Sequence, residues 1–155
     1  HGMVDKEEIT VETLSGIRSL KPYRRYGEIK NIRVDMGAAQ LSAQDIPVAL
    51  PQNHVVNEPV TIGGKEYRIT CVSMGNPHCV VFMDNVDQLD IETIGPEFEN
   101  SELFPERVNT EFIKVIDKNT LKMRVWERGS GETWACGTGG CGRKRLLQQR
   151  RGYYC

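Results

Sequence analysis

Two adjacent glycines constrain the fold of this chain more than any other feature of its sequence. Gly63 and Gly64 separate residues 60–62 from residues 66–73, and both flanking runs are rich in β-branched or aromatic side chains. Glycine accepts the positive φ angles of a two-residue turn, so such a pair between β-rich runs predicts a tight β-hairpin. This part of the chain is therefore expected to begin as antiparallel sheet.

A smaller sheet is predicted before that hairpin. Residues 8–14 alternate apolar and polar side chains, which is the period of a strand with one face buried. Ser15 and Gly16 then turn the chain back into residues 17–20, so the two runs predict a hairpin. Residues 28–36 are a further β-rich run and predict a third strand.

The domain boundary is predicted near Gly37. Residues 37–59 carry three prolines and lack a sustained hydrophobic period, which is typical of a segment that crosses between domains. At 155 residues the chain is long enough for one ordinary domain or for two small ones. We therefore predict one domain over residues 1–36 and a second over residues 37–155.

Within the second domain, the sequence predicts further strands and one helix. Residues 79–83 are continuously apolar and predict a buried strand. Asp90 has the side chain of a helix N-cap and predicts a short helix over residues 90–98. Residues 108–116 and 120–126 predict a second hairpin in this domain.

Charge and cysteine content exclude several classes of protein. The formal net charge of −1 gives no reason to expect a nucleic acid or an anionic membrane as partner. The longest apolar run, residues 79–83, is far too short to span a bilayer, and no secretory signal opens the chain. Five cysteines without regular spacing favour reduced thiols over a disulfide framework. The sequence therefore predicts a cytoplasmic protein.

Cys136 is the candidate reactive residue. It is followed by Gly137, Thr138, Gly139 and Gly140, so successive backbone N–H groups can surround an anion beside the sulfur. A helix that begins here would add partial positive charge and favour the thiolate. The alternative is a small buried cysteine in a tight turn. The density of glycine around Cys136 favours a site where a ligand approaches the backbone closely. The chain is expected to pass from the preceding strand through a glycine-rich loop to this cysteine.

The same glycines spell a dinucleotide-binding pattern that we reject. Gly137, Gly139 and Gly142 fit G-x-G-x-x-G, but that fingerprint also needs a second parallel strand and an acidic residue about 20 positions further on. Only 13 residues follow Gly142 in this sequence, so no nucleotide cofactor is expected.

Three segments carry a resemblance to a known family. The segments GNPHCVVFMDNV (75–86), ERVNTEFIKV (106–115) and WERGSGETWACGTG (126–139) resemble diaminopimelate epimerase, a cofactor-independent amino-acid epimerase of lysine biosynthesis. The resemblance implies an α+β fold in which two similar domains each wrap a mixed sheet around a central helix. Residues 1–36 would then be a remnant of the first domain, and residues 37–155 an incomplete second one.

The resemblance also implies roles for individual residues. Cys136 is similar to the second of the family's two catalytic thiols. Glu127 and Arg128 match the pair that holds the distal amino and carboxylate groups of diaminopimelate. The remaining implied residues bind or support the substrate: Asn76, Asn109, Gly137 and Thr138 as ligands, and His78 as a supporting group. No metal is implied, and Cys71, His78 and Cys79 do not have zinc-finger spacing.

Taken singly, these residues have ordinary interpretations. Asn76 before Pro77 is typical of a turn. An isolated histidine such as His78 is more often structural than catalytic, and the adjacent Glu127 and Arg128 would more often be a solvated charge pair. Only the order of the three motifs favours a site.

Two departures from the family open alternatives. No Cys-Gly-Asn-Gly stretch, which carries the family's first catalytic cysteine, occurs here. Residues 143–151 hold five basic side chains where the family continues with an apolar helix, so we expect either a truncated or frame-shifted end or a helix with a solvated basic face.

Two hypotheses for function follow. The chain is an epimerase polypeptide, or it is a non-catalytic half that binds an amino acid or associates with another chain, a two-fold homodimer being one arrangement. A related proline racemase is the alternative enzyme, but the adjacent Glu127 and Arg128 favour a substrate with two zwitterionic ends.

Overall fold

The computed structural model describes residues 6–13 and 16–134. The chain divides into two compact units, His1–Gly37 and Ala38–Cys155. This division lies beside the boundary expected from the sequence, and the assignment of the units to the two domains of one family stays a prediction. Within the described part of the chain, no helix is long and apolar enough to cross a membrane.

The first unit is a three-stranded antiparallel sheet. Its strands are β1 (Ile9–Thr13), β2 (Gly16–Arg25) and β3 (Glu28–Val34), in the order β1-β2-β3. The predicted hairpin and third strand are confirmed, but β2 continues five residues beyond the predicted end at Leu20. Pro22 is tolerated there because β1 begins at Ile9, opposite Leu20, so the missing N–H of Pro22 interrupts no pairing with β1.

The second unit contains a six-stranded mixed sheet. Its strands are β4 (Glu58–Ile62), β5 (Lys65–Ser73), β6 (Pro77–Phe82), β7 (Asn109–Val115), β8 (Leu121–Glu127) and β9 (Gly131–Thr133), in that spatial order. All neighbouring strands are antiparallel except β6 and β7, which are parallel. The diglycine hairpin is confirmed: Gly63 and Gly64 connect β4 to β5 with φ angles of 57° and 76°.

The crossover between the parallel strands contains helix α1 (Ile91–Glu99). The predicted N-cap is confirmed, because the Asp90 carboxylate accepts a hydrogen bond from Thr93 N at 3.4 Å. The Phe98 ring packs edge-on against Phe112 of β7, with centroids 5.4 Å apart. Gly95 makes the close approach to the sheet, since a Cβ there would lie 2.2 Å from Cδ2 of Trp126.

The six-stranded sheet has two differently packed faces. The face that meets α1 belongs to the main apolar core, which includes Ile69, Val81 and Phe112. The opposite face carries a smaller apolar cluster formed by Val72, Val80 and Ile113. On this second face, three buried polar side chains of β6 and β7 lie toward the end of the sheet where those two strands begin: His78, Asn109 and Glu111.

The prediction for the segment that follows β8 is wrong in one respect. The sequence predicted that the strand through Val125 passes directly into a glycine-rich loop, whereas the chain turns after Glu127 and forms β9 over Gly131–Thr133. Glycines at 129 and 131 have φ angles of 77° and 79°, so they shape this turn. A three-residue strand next to glycine has no periodicity of its own and depends on pairing with β8.

Candidate functional site

Five of the predicted site residues lie at one end of the six-stranded sheet. Because β6 and β7 are parallel, their first residues share an edge, and His78 lies opposite Asn109 in the register. Strand β8 is antiparallel to β7 and therefore ends at the same edge, where Trp126 pairs with Thr110. Glu127 and Arg128 follow directly. The sheet topology thus brings together three segments that are far apart in the sequence.

Three side chains of the site, those of Asn76, His78 and Glu111, are connected by hydrogen bonds. His78 Nδ1 lies 2.6 Å from Glu111 Oε1, and both side chains are fully buried. His78 Nε2 lies 3.0 Å from Asn76 Oδ1. Since an amide oxygen can only accept, Nε2 is the donor in this contact. The Asn76 amide is thereby oriented with its oxygen toward the ring.

Glu111 is the acidic member of this hydrogen-bonded group, and the sequence analysis did not identify it as a site residue. Burial raises the pKa of its carboxyl group above the ordinary value, an effect that the hydrogen bond with His78 opposes. Its second oxygen, Oε2, is buried without a hydrogen-bond partner, which also disfavours the carboxylate form. The available signal was a glutamate inside a predicted strand, two residues after Asn109 and hence on the same face.

Asn109 joins two segments of the site. Its side-chain Nδ2 donates to Pro77 O at 3.1 Å, and its Oδ1 accepts from Arg128 N at 3.0 Å. The residue is 4% exposed. It therefore fixes the start of β6 relative to the turn after β8, in addition to the ligand role that the resemblance implies.

The turn that carries Glu127 and Arg128 is held from several sides. Thr133 Oγ1 donates to Glu127 Oε1 at 2.6 Å, and Arg128 Nη1 donates to Glu106 O at 2.9 Å. Gly129 N donates to Glu99 Oε1 at 2.8 Å. Arg128 is exposed and Glu127 half-buried, so both charged groups reach the surface from an anchored backbone.

Cys136, Gly137 and Thr138 lie outside the described residues. The two cysteines that are described, Cys71 and Cys79, are buried opposite each other on β5 and β6. Burial raises the pKa of the Cys79 thiol well above its ordinary value, so this thiol is a poor nucleophile at neutral pH. In residues 6–13 and 16–134, no group of three or more His, Cys, Asp or Glu side chains is arranged to hold a metal ion.

The chain is similar to a family of known enzymes. The sequence model of the diaminopimelate epimerase family matches residues 70–146. The diaminopimelate epimerase of Acetivibrio thermocellus is 54% identical over 140 residues, which are 90% of this chain and 50% of that protein. That of Agathobacter rectalis is 49% identical over 148 residues, covering 91% of this chain and 52% of that protein. The chain thus spans about half the length of the curated relatives it matches.

Solved structures share the fold at low sequence identity. A probable proline racemase from Agrobacterium radiobacter superposes with a TM-score of 0.68 at 15% identity, over 97% of this chain and 48% of the racemase. A hydroxyproline epimerase from Agrobacterium vitis gives a TM-score of 0.65 at 15% identity, over 99% of this chain and 48% of that one. The expected α+β fold is confirmed, and with sequence identity near 50% to the relatives above, the chain belongs to the diaminopimelate epimerase family.

Proposed function

We propose that this chain supplies one side of a diaminopimelate epimerase active site and binds the end of the substrate that does not react. The observation that carries the proposal is the convergence of Asn76, Asn109 and the Glu127-Arg128 pair at one end of the sheet, connected by hydrogen bonds. They belong to three different segments, which the parallel pairing of β6 with β7 and the antiparallel pairing of β7 with β8 bring to one place.

The chemistry of these groups matches a zwitterionic amino acid. The Arg128 guanidinium presents a planar fork of donors that suits a carboxylate, and one of its five N–H groups is used for Glu106 O. The Glu127 carboxylate is an acceptor suited to an ammonium group. With its oxygen directed at His78, the Asn76 amide offers its N–H groups to a ligand carboxylate. This set recognises both charges of one stereocentre.

The reaction proposed at the other stereocentre is proton exchange between two faces. A thiolate on one face removes the α-proton, so the C–H bond breaks and its electron pair is delocalised into the substrate carboxylate. A thiol on the opposite face then donates its proton to the same carbon with inverted configuration, and no electrons are gained or lost. Cys136 is assigned as one of these two groups, with backbone N–H groups of Gly137 and Thr138 stabilising the carboxylate of the carbanion.

Binding is tested by calorimetry with meso- and LL-diaminopimelate. Arg128→Gln removes the charged fork, and the Kd should rise at least about tenfold, the effect of losing one charge-assisted hydrogen bond. Arg68→Gln is the matched control, because Arg68 precedes Ile69, which pairs with Val81 at the opposite end of β6. Equal affinity in the wild type and in Arg128→Gln would refute the proposed subsite.

Turnover is tested separately with the 155-residue chain. The family uses two thiols, and this chain lacks the stretch that carries the first one, so it should bind substrate without measurable epimerisation. Deuterium exchange from solvent into the α-carbon, followed by mass spectrometry, is the measurement. Rapid exchange with inversion would mean that another residue of this chain serves as the second base.

The assigned thiol is tested by alkylation. Cys136 should react with limiting iodoacetamide before Cys71 and Cys79, which are fully buried. Peptide mapping by mass spectrometry identifies the modified residue. Preferential labelling of either buried cysteine would contradict the assignment.

Association of two copies is the second candidate function. The three-stranded sheet exposes apolar side chains, among them Ile17 at 71% and Ile32 at 53%, and exposed apolar surface of this kind favours association. A homodimer would place like surfaces together about a two-fold axis. Light scattering over a range of concentrations tests it, and a monodisperse monomer at high concentration would rule it out.

A further inference from the structure

Glu99 combines three properties that are rarely found together. It is 7% exposed, it is charged, and it lies in the last turn of α1. Negative charge is unfavourable at the C-terminal end of a helix, where carbonyl groups already point outward, and α1 has no basic residue in that turn. A carboxylate buried at such a place requires strong compensating hydrogen bonds.

The compensation comes from the strands and loops at the proposed binding site. Trp126 Nε1 donates to Glu99 Oε2 at 2.7 Å, and Gly129 N donates to Glu99 Oε1 at 2.8 Å. Arg107 Nη1 donates to the same Oε1 at 3.2 Å. Trp126 and Gly129 lie on either side of Glu127 and Arg128, so the carboxylate holds the turn at both of its ends.

From this geometry we infer that Glu99 is the positioning residue for the turn that presents Glu127 and Arg128 to a ligand. The inference rests on the function proposed above for that pair. It assigns the orientation of the two charged side chains to a carboxylate on α1, in a segment that contains none of the residues implied as ligands. The exposed tip of the turn is thereby connected to the core through Phe98, the neighbour of Glu99.

Two other contacts explain why this anchor is specific. Gly95 leaves room for the Trp126 ring against α1, so the indole N–H is brought to the end of the helix. Asn109 receives the Arg128 N–H from the opposite side. The backbone between Trp126 and Gly129 is therefore held by side chains from α1 and β7 and has little freedom to rotate.

Glu99→Gln is the direct test. Glutamine has nearly the same size, but it has one acceptor oxygen where the carboxylate has two. Whichever way its amide is turned, an NH₂ group meets either the Trp126 indole or the Gly129 amide, and one of those hydrogen bonds is lost. The resonances of the Trp126 indole N–H or the Gly129 amide, and that of the Arg128 amide, should then move in a ¹H–¹⁵N spectrum.

Binding provides the second measurement. The Kd for meso-diaminopimelate should rise about tenfold in Glu99→Gln, the loss expected when one hydrogen bond to a charged group is removed. Glu97→Gln is the matched control, since Glu97 is an exposed acid on the same helix. The indole of Trp134, which is fully exposed, is an internal reference that should not shift.

The outcomes separate this inference from the proposed function. If the wild type does not bind diaminopimelate, the proposed function fails. The shift of the Arg128 amide resonance in Glu99→Gln then decides by itself whether Glu99 positions the turn. The inference is overturned if the Arg128 amide resonance of Glu99→Gln has the same chemical shift as in the wild type. A wild-type Kd in that variant also overturns it.

A measurement on the wild type covers the case in which Glu99→Gln does not fold. Gly129 is exposed, but its amide N–H donates a hydrogen bond to the buried Glu99 carboxylate. This amide should therefore exchange with solvent much more slowly than the amide of Lys118, which lies in the exposed turn between β7 and β8. Exchange of both amides at similar rates would overturn the inference without any variant.

Discussion

The two units of this molecule are both built from β-hairpins, yet among the residues that the structure describes only one unit has an apolar core. Every buried apolar residue that the structure describes lies in the six-stranded unit, from Ala43 to Val125. In the three-stranded unit, no described residue is buried, and Tyr26 is 89% exposed. Strand pairing alone therefore does not make a core.

The difference lies in the second layer. In the larger unit, α1 places Ile91, Ile94 and Phe98 against one face of the sheet, and these side chains are buried there. Within the described part of the smaller unit, three strands form a single layer. A sheet becomes stable when an apolar face packs against another element, and isolated hairpins are marginal in water. The candidate site lies in the unit that has both layers.

The largest expected effect is in the core between α1 and the sheet. Phe112→Ala removes a fully buried ring that packs against Phe98, and the free energy of unfolding should fall by about 3–5 kcal/mol. Urea unfolding followed by circular dichroism measures it. A loss below about 1 kcal/mol would mean that the second layer contributes little, and the contrast between the units would fail.

Helix capping should have a smaller effect. Asp90→Ala removes the side chain that accepts from Thr93 N, and the expected loss of stability is about 1 kcal/mol. The same urea titration measures it. Asp90→Asn keeps an acceptor oxygen and should retain most of the stability, so equal losses in the two variants would show that the cap is not the cause.

The buried acid of the site predicts a pH dependence. Burial raises the folded-state pKa of Glu111. The wild type is therefore most stable relative to Glu111→Gln below the ordinary carboxyl pKa of about 4.3. It loses that stability as the pH rises through the raised pKa. The difference in unfolding free energy should therefore shift in favour of the variant as the pH rises above about 4.

Glu132→Gln is a control of opposite sign. The hydrogen bond from Arg124 lowers the pKa of Glu132, so its contribution to stability is present above the ordinary carboxyl pKa and is lost as the pH falls through the lowered value. The effect should be small because this pair is partly exposed to solvent. The same direction of change in both variants would contradict the interpretation of Glu111.

The smallest effect is expected in the three-stranded unit. Ile32→Thr changes a side chain that is 53% exposed, and the unfolding free energy of the chain should change by no more than about 0.5 kcal/mol. The measurement is the same urea titration. A loss of about 2 kcal/mol or more would show that this sheet is buried against another surface in solution.

Local sequence determined much of this protein. The diglycine hairpin, the Asp90 cap, the strands β1 and β3, and the hairpin of β7 and β8 follow from turn residues and periodicity, because each depends on neighbours in the chain. The family is likewise carried by three short motifs. The ligand roles of Asn76, Asn109, Glu127 and Arg128 and the catalytic role of Cys136 stay predictions.

Only the tertiary structure decided which remote segments meet. The parallel pairing of β6 and β7, the strand β9, and the contacts of Glu111 with His78 and of Glu99 with Gly129 leave no periodic pattern in the sequence. Glu99 and Glu111 appear in the sequence as ordinary acids, one near a helix end and one in a strand. They acquire their roles from burial and from donors contributed by other segments, and both are properties of the packed sheet and helix.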